Sequence, residues 1–314
     1  MPQPIVAYLR GIFYAPSRIT CTMIASVVRQ SSHDQLTRLL SRAAWKGQAL
    51  LNRAVRKLFG QLSGGYLLID DTVITKHFSK VVSCVFWVFS SKEKRTVRGI
   101  NLVALCWTNG AITLPLAFRI WQKDDKSKCR LARELLRYAK ETLNISPKYV
   151  LFDSYYASRE ILKCLDAYRW QYVTQMKRNR LFNGKPVTRW KQQPYWIERG
   201  RILDGDITIA RHGKKYFATN DHALTSAQMR AVYKFRWKIE EVFRFLHGKL
   251  GMDDCQARST VAQGNHIMLC CLAAVLVEGE RQARTWTRYQ LKRKLSLQRE
   301  RYHFIVLKPF FEGA

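Results

Sequence analysis

Acid is scarce in this sequence. Its 314 residues hold 23 Asp and Glu against 54 Lys and Arg, a formal net charge of +31. A chain so basic repels its own copies and attracts polyanions, so nucleic acid is the expected partner. A membrane surface would call for a basic amphipathic or lipidated segment instead. Long apolar runs are also missing. The longest, Ile267 to Val277, is closed by His266 and Glu278, well short of the roughly 20 residues a membrane span requires. The N-terminus, MPQPIVAYLR, has no charged lead before its apolar stretch and makes a poor signal peptide. None of the eight cysteines forms a CxxC pair, and the seven histidines complete no zinc pattern. Most cysteines sit in apolar stretches such as SCVFWVF and ALCWT, where a reduced thiol acts as a small hydrophobe. That usage argues against structural zinc and for a reducing compartment, the cytoplasm. Hydrophobicity, by contrast, is ample: 47% of the residues, enough to bury a core and to exclude a disordered basic tail. The length allows about two domains, or one domain with an insertion.

Residues 1 to about 60 read as helical. SSHDQLTRLLSRAAWKGQALLNRAVRKLFGQ opens with Ser32 or Asp34 as N-cap, and Leu36, Leu39, Leu40, Ala43 and Ala44 follow at helical spacing. Its other face carries Arg38, Arg42, Lys46, Arg53, Arg56 and Lys57, with no acid after Asp34. Solvated faces usually mix signs, so this one suits phosphate contact. From Gly65 the texture turns to strands: YLLID, VVSCVFWVFSS, and a hairpin in INLVALCWTNGAITLPLAFRIW turning at Asn109-Gly110. Lys126 to Leu143 is helical by its Leu131, Leu135, Leu136 and Ala139 stripe; KYVLFDS is a strand and YASREILKCLDAY a helix. That alternation belongs to an α/β fold. Residues 170–222 break into short strands separated by Gly, Asn and Asp turns, a small basic antiparallel β insertion carrying Trp190 and Trp196. Helix returns from Thr225 to about Leu250 and from Ser259 to Glu278; Arg281 to Arg301 then holds eight basic residues and one acid, Glu300, a tail expected to hold DNA largely through phosphates. No internal repeat occurs, and no linker is long enough to part independent domains.

In so basic a chain the placement of acids carries information. Two apolar strands, YLLID and YVLFD, end in aspartate: Asp70, with Asp71 beside it, and Asp153. Glu240 and Glu241 stand on the later helix. An isolated aspartate at a strand end is more often a turn former or a helix cap. Acids from two neighbouring strands and a packing helix can nonetheless converge, and clustered carboxylates in a chain of +31 need a cation. Carboxylate oxygens suit Mg²⁺, with Mn²⁺ as its substitute. A metal site of this kind handles phosphodiesters by stabilising both the attacking and the leaving oxygen.

Tyr233, Arg236 and Glu240 stand as Y-x2-R-x3-E in YKFRWKIEEVF. This resembles the signature of DDE transposases of bacterial insertion sequences, in the hairpin-forming class with a Y-x2-R-x3-E-x6-K motif. IDDTVITK, VRGINLVALCWTNGAITLPLAFRIWQK, YVLFDSYYAS, KKYFATND and CQARSTVAQGNHI are similar to segments of such enzymes, in the same order, across roughly residues 66–278. The resemblance implies an RNase H-like α/β core with a β insertion between the second Asp and the Glu. It implies a metal-dependent endonuclease and strand-transfer activity in DNA transposition and recombination, and a place in the bacterial nucleoid. Asp153 and Glu240 match the second and third metal-binding acids. The first lies in IDDT and is either Asp70, directly after the apolar strand, or Asp71. Tyr233 and Arg236 match a phosphate-contacting pair, three and four residues apart along one helix face with Glu240. The motif's Lys is replaced by His247; Lys249, two residues on, is rotated by about 200° on an ideal helix. Both enter as candidate DNA contacts.

Trp190 and Trp196 admit two readings: stacking on a base drawn from the duplex, which suits a hairpin intermediate, or anchoring the small sheet. The expected division is an N-terminal helical DNA-binding region at 1–62 and an RNase H-like core at 63–169 and 223–258. The β insertion takes 170–222, and a basic C-terminal helical region takes 259–314. The expected partner is double-stranded DNA, both transposon ends and target, and the resemblance implies a homodimer in the DNA complex. A nuclease of the same fold without strand transfer, or a transposase-derived DNA-binding protein without catalysis, are the alternatives.

Overall fold

The computed structural model describes residues 1–297 except 43, 44, 124, 191, 192 and 204. Ala43 and Ala44 of the first apolar stripe, and Arg299, Glu300 and Arg301 of the basic tail, lie outside the described residues. Four helices come first: α1 (Gln3–Tyr14), α2 (Cys21–Val28), α3 (His33–Ser41) and α4 (Gly47–Phe59). Ser32 caps α3 in a reciprocal capping box with Gln35, as its position predicts. The single long helix read from the sequence is two, so its cations spread over α3, α4 and the turn between them.

The central sheet starts with β1 (Tyr66–Thr75), whose Leu67, Leu68 and Ile69 are buried. Next come β2 (Phe86–Ser90), β3 (Arg95–Thr108) and β4 (Thr113–Ile120). The 14-residue β3 lies antiparallel to β1 along one edge, and on its other edge pairs first with β2 and then with β4. The β3–β4 turn is the expected Asn109-Gly110. Asn109 Oδ1 accepts the N–H of Ala111 and of Ile112 at 3.1 and 2.9 Å, and Gly110 adopts φ +97°, a left-handed conformation that favours glycine.

Helix α5 (Lys128–Glu141), capped by Ser127, leads to β5 (Tyr149–Phe152), and α6 (Arg159–Ala167), capped by Ser158, to β6 (Tyr172–Gln175). Both strands run parallel to β1, with α5 and α6 as crossovers. The order β4-β3-β1-β5-β6, in which only β3 runs antiparallel to β1, is that of an RNase H-like core. Residues 172–175, inside the span read as insertion, are thus a strand of the central sheet: WQYV follows a helix and buries both faces, as crossover strands do.

After β6 come β7 (Leu181–Phe182), β8 (Lys185–Pro186), the single turn α7 (Val187–Trp190), β9 (Tyr195–Ile202), β10 (Gly205–His212) and β11 (Lys215–Thr219). β11 pairs antiparallel with β6, so β11, β10 and β9 extend the central sheet, and only β7 and β8 form a separate ribbon.

Helix α8 (Ser226–Tyr233) passes through a 3-10 turn at Lys234–Arg236 into α9 (Trp237–Lys249), which packs on β1 and β4. Helix α10 (Thr260–Gln282) follows, then α11 (Arg288–Leu297). At 23 residues α10 is, among the described residues, the one helix long and apolar enough to cross a membrane, although its longest uninterrupted apolar run is shorter. Here it is a core element packed against α1, α3, α4, α9 and β4, with Gln263, His266, Glu278 and Glu280 buried in it.

Candidate active site

The side chains of successive strand residues point to opposite faces. Asp70 and Thr72 of β1 therefore face α9, and Asp71 faces the side of α5. The parallel register sets Ile69 beside Phe152, which places Asp70 level with Asp153 just past the end of β5. Thr174 of β6 donates its hydroxyl to the carbonyls of Phe152 and Asp153 at 3.0 and 3.3 Å and pins the backbone there. The Asp153 carboxylate accepts the N–H groups of Tyr155 and Tyr156 at 2.9 and 3.4 Å.

From the opposite side, the 3-10 turn and the start of α9 bring Arg236 and Glu240. Arg236 donates Nη1 to Asp70 Oδ2 and Nη2 to Glu240 Oε1, the latter at 3.3 Å. Its guanidinium lies 5.8 Å from the ring centre of Tyr233, which is buried against Phe217. Glu241 pairs with Lys238 and is a neighbour of this group only.

The electrostatics mark a strained set of acids. Asp70, 9% exposed, is pushed up to about 7 by burial. Arg236 opposes that rise, whereas the charges of Asp153, Glu240 and Asp71 add to it. Asp153 is raised as well, first by burial, against the two N–H groups it accepts. The cluster holds more negative charge than one arginine neutralises. Its donors are carboxylate oxygens alone, the chemistry of Mg²⁺ or Mn²⁺. As the side chains stand, no three His, Cys, Asp or Glu groups among the described residues are spaced to hold one ion. Arg236 bridges two of the three acids and takes the cation's role. The chemistry of the donor set thus fits a divalent ion, which Asp70, Asp153 and Glu240 would hold in place of the Arg236 guanidinium.

The family described as "Transposase DDE domain" matches residues 63–276, more than half of the sequence. The chain belongs to that family. A solved structure similar to this transposase is that of the piggyBac transposase synaptic complex with hairpin DNA. The two share 12% identity and a TM-score of 0.56, over 100% of this chain and 75% of that one, a likeness in fold alone. No curated protein matches the sequence.

The other candidate residues of this transposase lie further out. Asp71 is committed elsewhere: Oδ2 accepts Lys128 Nζ at 2.7 Å and Asn101 Nδ2 at 3.1 Å, and Oδ1 accepts the Tyr156 hydroxyl at 2.9 Å. His247 sits beside the acids, its ring joined to Thr72 Oγ1 at 2.9 Å and to Asp253 Oδ1 at 2.7 Å. Helix α9 continues through Lys249, so the rotation that separates Lys249 from His247 is kept, and Lys249 lines a groove with Arg18 and Arg293 instead.

Trp190 and Trp196 pack around Phe182, with ring centres 5.0 and 6.5 Å away. Trp196 is only 7% exposed and also meets Tyr216. Of their two readings the arrangement is that of sheet anchors. The buried Trp196 indole offers no open face to a base, and the half-buried Trp190 packs edge-on against Phe182 of the small ribbon.

The basic C-terminal residues are a further correction. Arg281 and Arg288 bind the fully buried Glu278, Arg284 binds buried Glu280, and Lys292 donates to the Phe13 carbonyl at 2.8 Å. Three of the eight cations read as a phosphate-binding tail are thus spent on the two buried acids of α10, and a fourth, Lys292, on a backbone carbonyl. Sequence reasoning missed Thr72, Asn101, Lys128, Tyr155 and Tyr156. The two tyrosines directly follow the acid in YVLFDSYYAS and are the ones the pattern could have singled out.

Proposed function

We propose that this transposase cuts transposon ends and joins them to target DNA by divalent-metal-dependent phosphoryl transfer. Asp70, Asp153 and Glu240 are the carboxylates that hold Mg²⁺, or Mn²⁺ in its place. The observation that carries this reading is mutual: Asp153 and Glu240 both act on the buried Asp70, and one cationic side chain, Arg236, stands among them. Bound there, the metal supplies activation of the attacking oxygen and stabilisation of the leaving one. Asp70 is the first acid in preference to Asp71, because it shares a face with Glu240 and a level with Asp153.

Arg236 is the group that meets the scissile phosphate. Its two donors match two phosphate oxygens, and the Tyr233 ring lies against its guanidinium. His247, fixed by Thr72 and Asp253, stands on the same helix seven residues after Glu240 and contacts the strand beyond. The protein works on double-stranded DNA, as a homodimer when two ends are paired, in the bacterial cytoplasm. The second strand is cut through a hairpin.

The test uses a plasmid carrying the gene with its native flanks. Wild type and Glu240→Gln are incubated with it in Mg²⁺, Mn²⁺ or EDTA, and DNA ends and joined products are mapped. Metal-dependent cuts at the flanks, joined products, and loss of both in the variant are expected. Cuts without joined products would reduce the protein to a nuclease. Binding that survives EDTA with no cut in any metal would leave a DNA-binding protein only.

A further inference from the structure

On the far side of Asp153 from Arg236 lies a second group of cations. Tyr155, 45% exposed, is tied to the acid through its N–H, which donates to Asp153 Oδ1 at 2.9 Å. The Lys128 ammonium is 5.3 Å from the centre of its ring and that of Lys177 is 5.8 Å. Lys128 is the first residue of α5, followed by Arg130 in a first turn that contains no acid. A cation at the positive end of a helix works against the helix dipole, so helix stability does not account for Lys128. Positions that break a local rule are where function is expected. Asp71 compensates at 2.7 Å, and its own carboxylate is held in place by Asn101 and Tyr156.

Neutralising Asp71 would explain Lys128 alone. It does not explain Lys177, which is exposed and forms no ion pair with another described residue. Nor does it explain an exposed aromatic ring that gathers both ammonium groups two residues from a site acid. An aromatic face that orients cations toward an anion path is a cation–π device. The path on offer is a DNA backbone crossing the sheet end at Asp153, with Arg236 on one flank and this pair on the other.

We infer that Lys128 and Lys177, gathered by the Tyr155 ring, bind backbone phosphates on the flank of the cut site opposite Arg236, and that Asp71 is the positioning residue that aims Lys128. This rests on the reading of the site as one that cuts DNA. It gives Asp71 a role that is not metal binding.

The test measures binding of a terminal duplex in EDTA, with a neutral methylphosphonate placed at each phosphate around the mapped cut in turn. Wild type should lose affinity for substitutions on both flanks. Lys128→Gln and Lys177→Gln should become indifferent to methylphosphonates on one flank while keeping sensitivity on the other. Each should flatten the slope of log affinity against log salt by about 1, and Lys→Arg should restore it. Asp71→Asn should match Lys128→Gln in this profile and bind Mn²⁺ as wild type does by electron paramagnetic resonance. Lysine variants with the wild-type profile and salt slope would overturn the inference, as would an Asp71→Asn protein that loses Mn²⁺. Cutting and flank binding fail separately. A protein with the two-flank profile that never cuts keeps the lysine pair and loses the nuclease reading, and one that cuts with lysine variants unchanged does the reverse.

Discussion

The guanidinium of Arg236 bridges Asp70 and Glu240, the position between the acids that a divalent cation would take under the proposed function. Each acid is short of neutralising charge, and Arg236 is the nearest source. In the proposed function a DNA phosphate competes for the same two donors. Drawing Arg236 onto the phosphate frees both carboxylates, so DNA binding and metal binding are expected to favour each other.

Replacing Arg236 therefore separates two effects. Without DNA, Arg236→Gln should bind Mn²⁺ more tightly than wild type, by about tenfold, since a charge-assisted hydrogen bond contributes about 1.5–3 kcal/mol. Cleavage should nonetheless fall by at least about 100-fold, because a donor to the reacting phosphate is lost. Mn²⁺ titration by electron paramagnetic resonance, with and without terminal duplex, checks the first. Equal Mn²⁺ affinity in the two proteins would show that Arg236 does not compete for the site.

His247 stands on α9, seven residues after Glu240. Its ring fills two hydrogen bonds, to Thr72 and Asp253, that a lysine ammonium cannot span in the same way. His247→Ala should lower stability by about 1–2 kcal/mol through those lost bonds. His247→Lys should steepen the salt dependence of DNA binding by about 1. Urea unfolding and salt titration of affinity measure the two outcomes. A His247→Lys protein with an unchanged salt slope would remove position 247 from the DNA path.

Much of this architecture was legible because local signals agreed with one another. Leu67 to Ile69 mark a buried strand, Asn109-Gly110 a hairpin turn, Ser32 and Gln35 a helix start, and the order of acids on β1, after β5 and on α9 carries the site. What stayed hidden depends on pairing between distant segments. Adjacent Asp70 and Asp71 must face opposite ways, but only the packing of α9 and α5 decides which one faces Glu240. β6 looks like any other strand of the insertion until β5 is found beside it. The charges of Arg281, Arg284 and Arg288 read as a surface because nothing in the pattern reveals that Glu278 and Glu280 are buried. The 3-10 turn at Lys234–Arg236 interrupts a helix with unbroken periodicity, yet keeps Tyr233, Arg236 and Glu240 in contact.

His266 gives a pH dependence with a definite sign. It is fully buried in α10, accepts or donates to the Tyr8 hydroxyl at 2.8 Å, and meets the Gly251 carbonyl at 2.8 Å. Burial lowers its pKa from 6.5 to about 4, with Lys76 adding to the fall and the Gly251 carbonyl opposing it. Between those two values the unfolded chain binds more protons than the folded one. Stability contributed by neutral His266 is thus present above the unfolded pKa and is lost as pH falls toward 4. The loss should reach about 3 kcal/mol. Asp70 and Asp153, whose pKa values are raised, act in the opposite direction, so the wild-type curve alone does not isolate the histidine. The measurement is the difference in urea-unfolding free energy between wild type and His266→Gln at pH 7 and pH 4.5. The variant should be less stable at pH 7, with much of that gap closed at pH 4.5. A gap independent of pH would mean that His266 is not neutral in the fold.

Glu278 ties three segments together. Its Oε1 accepts Arg281 and its Oε2 accepts Arg288, both at 2.5 Å, and these arginines also donate to the carbonyls of Ala111 and Thr113 in the β3–β4 hairpin. The end of α10, the start of α11 and the hairpin beside the site helix thus share one buried carboxylate. Removing its charge leaves two partly buried arginines facing each other without compensation. Glu278→Gln should therefore cost about 3–5 kcal/mol, the penalty of breaking one side of a buried pair. Replacing Arg281 and Arg288 with leucine together with Glu278→Leu should recover much of that loss, because a packed apolar set avoids the desolvation of the ions. Unfolding midpoints of the single and triple variants decide between the two. Recovery in the triple variant assigns the loss to uncompensated charge. A triple variant as unstable as Glu278→Gln would show that uncompensated charge is not what the single variant loses, or that the arginines' bonds to Ala111 and Thr113 weigh as much, and DNA cleavage by that variant then reads whether the hairpin still supports α9.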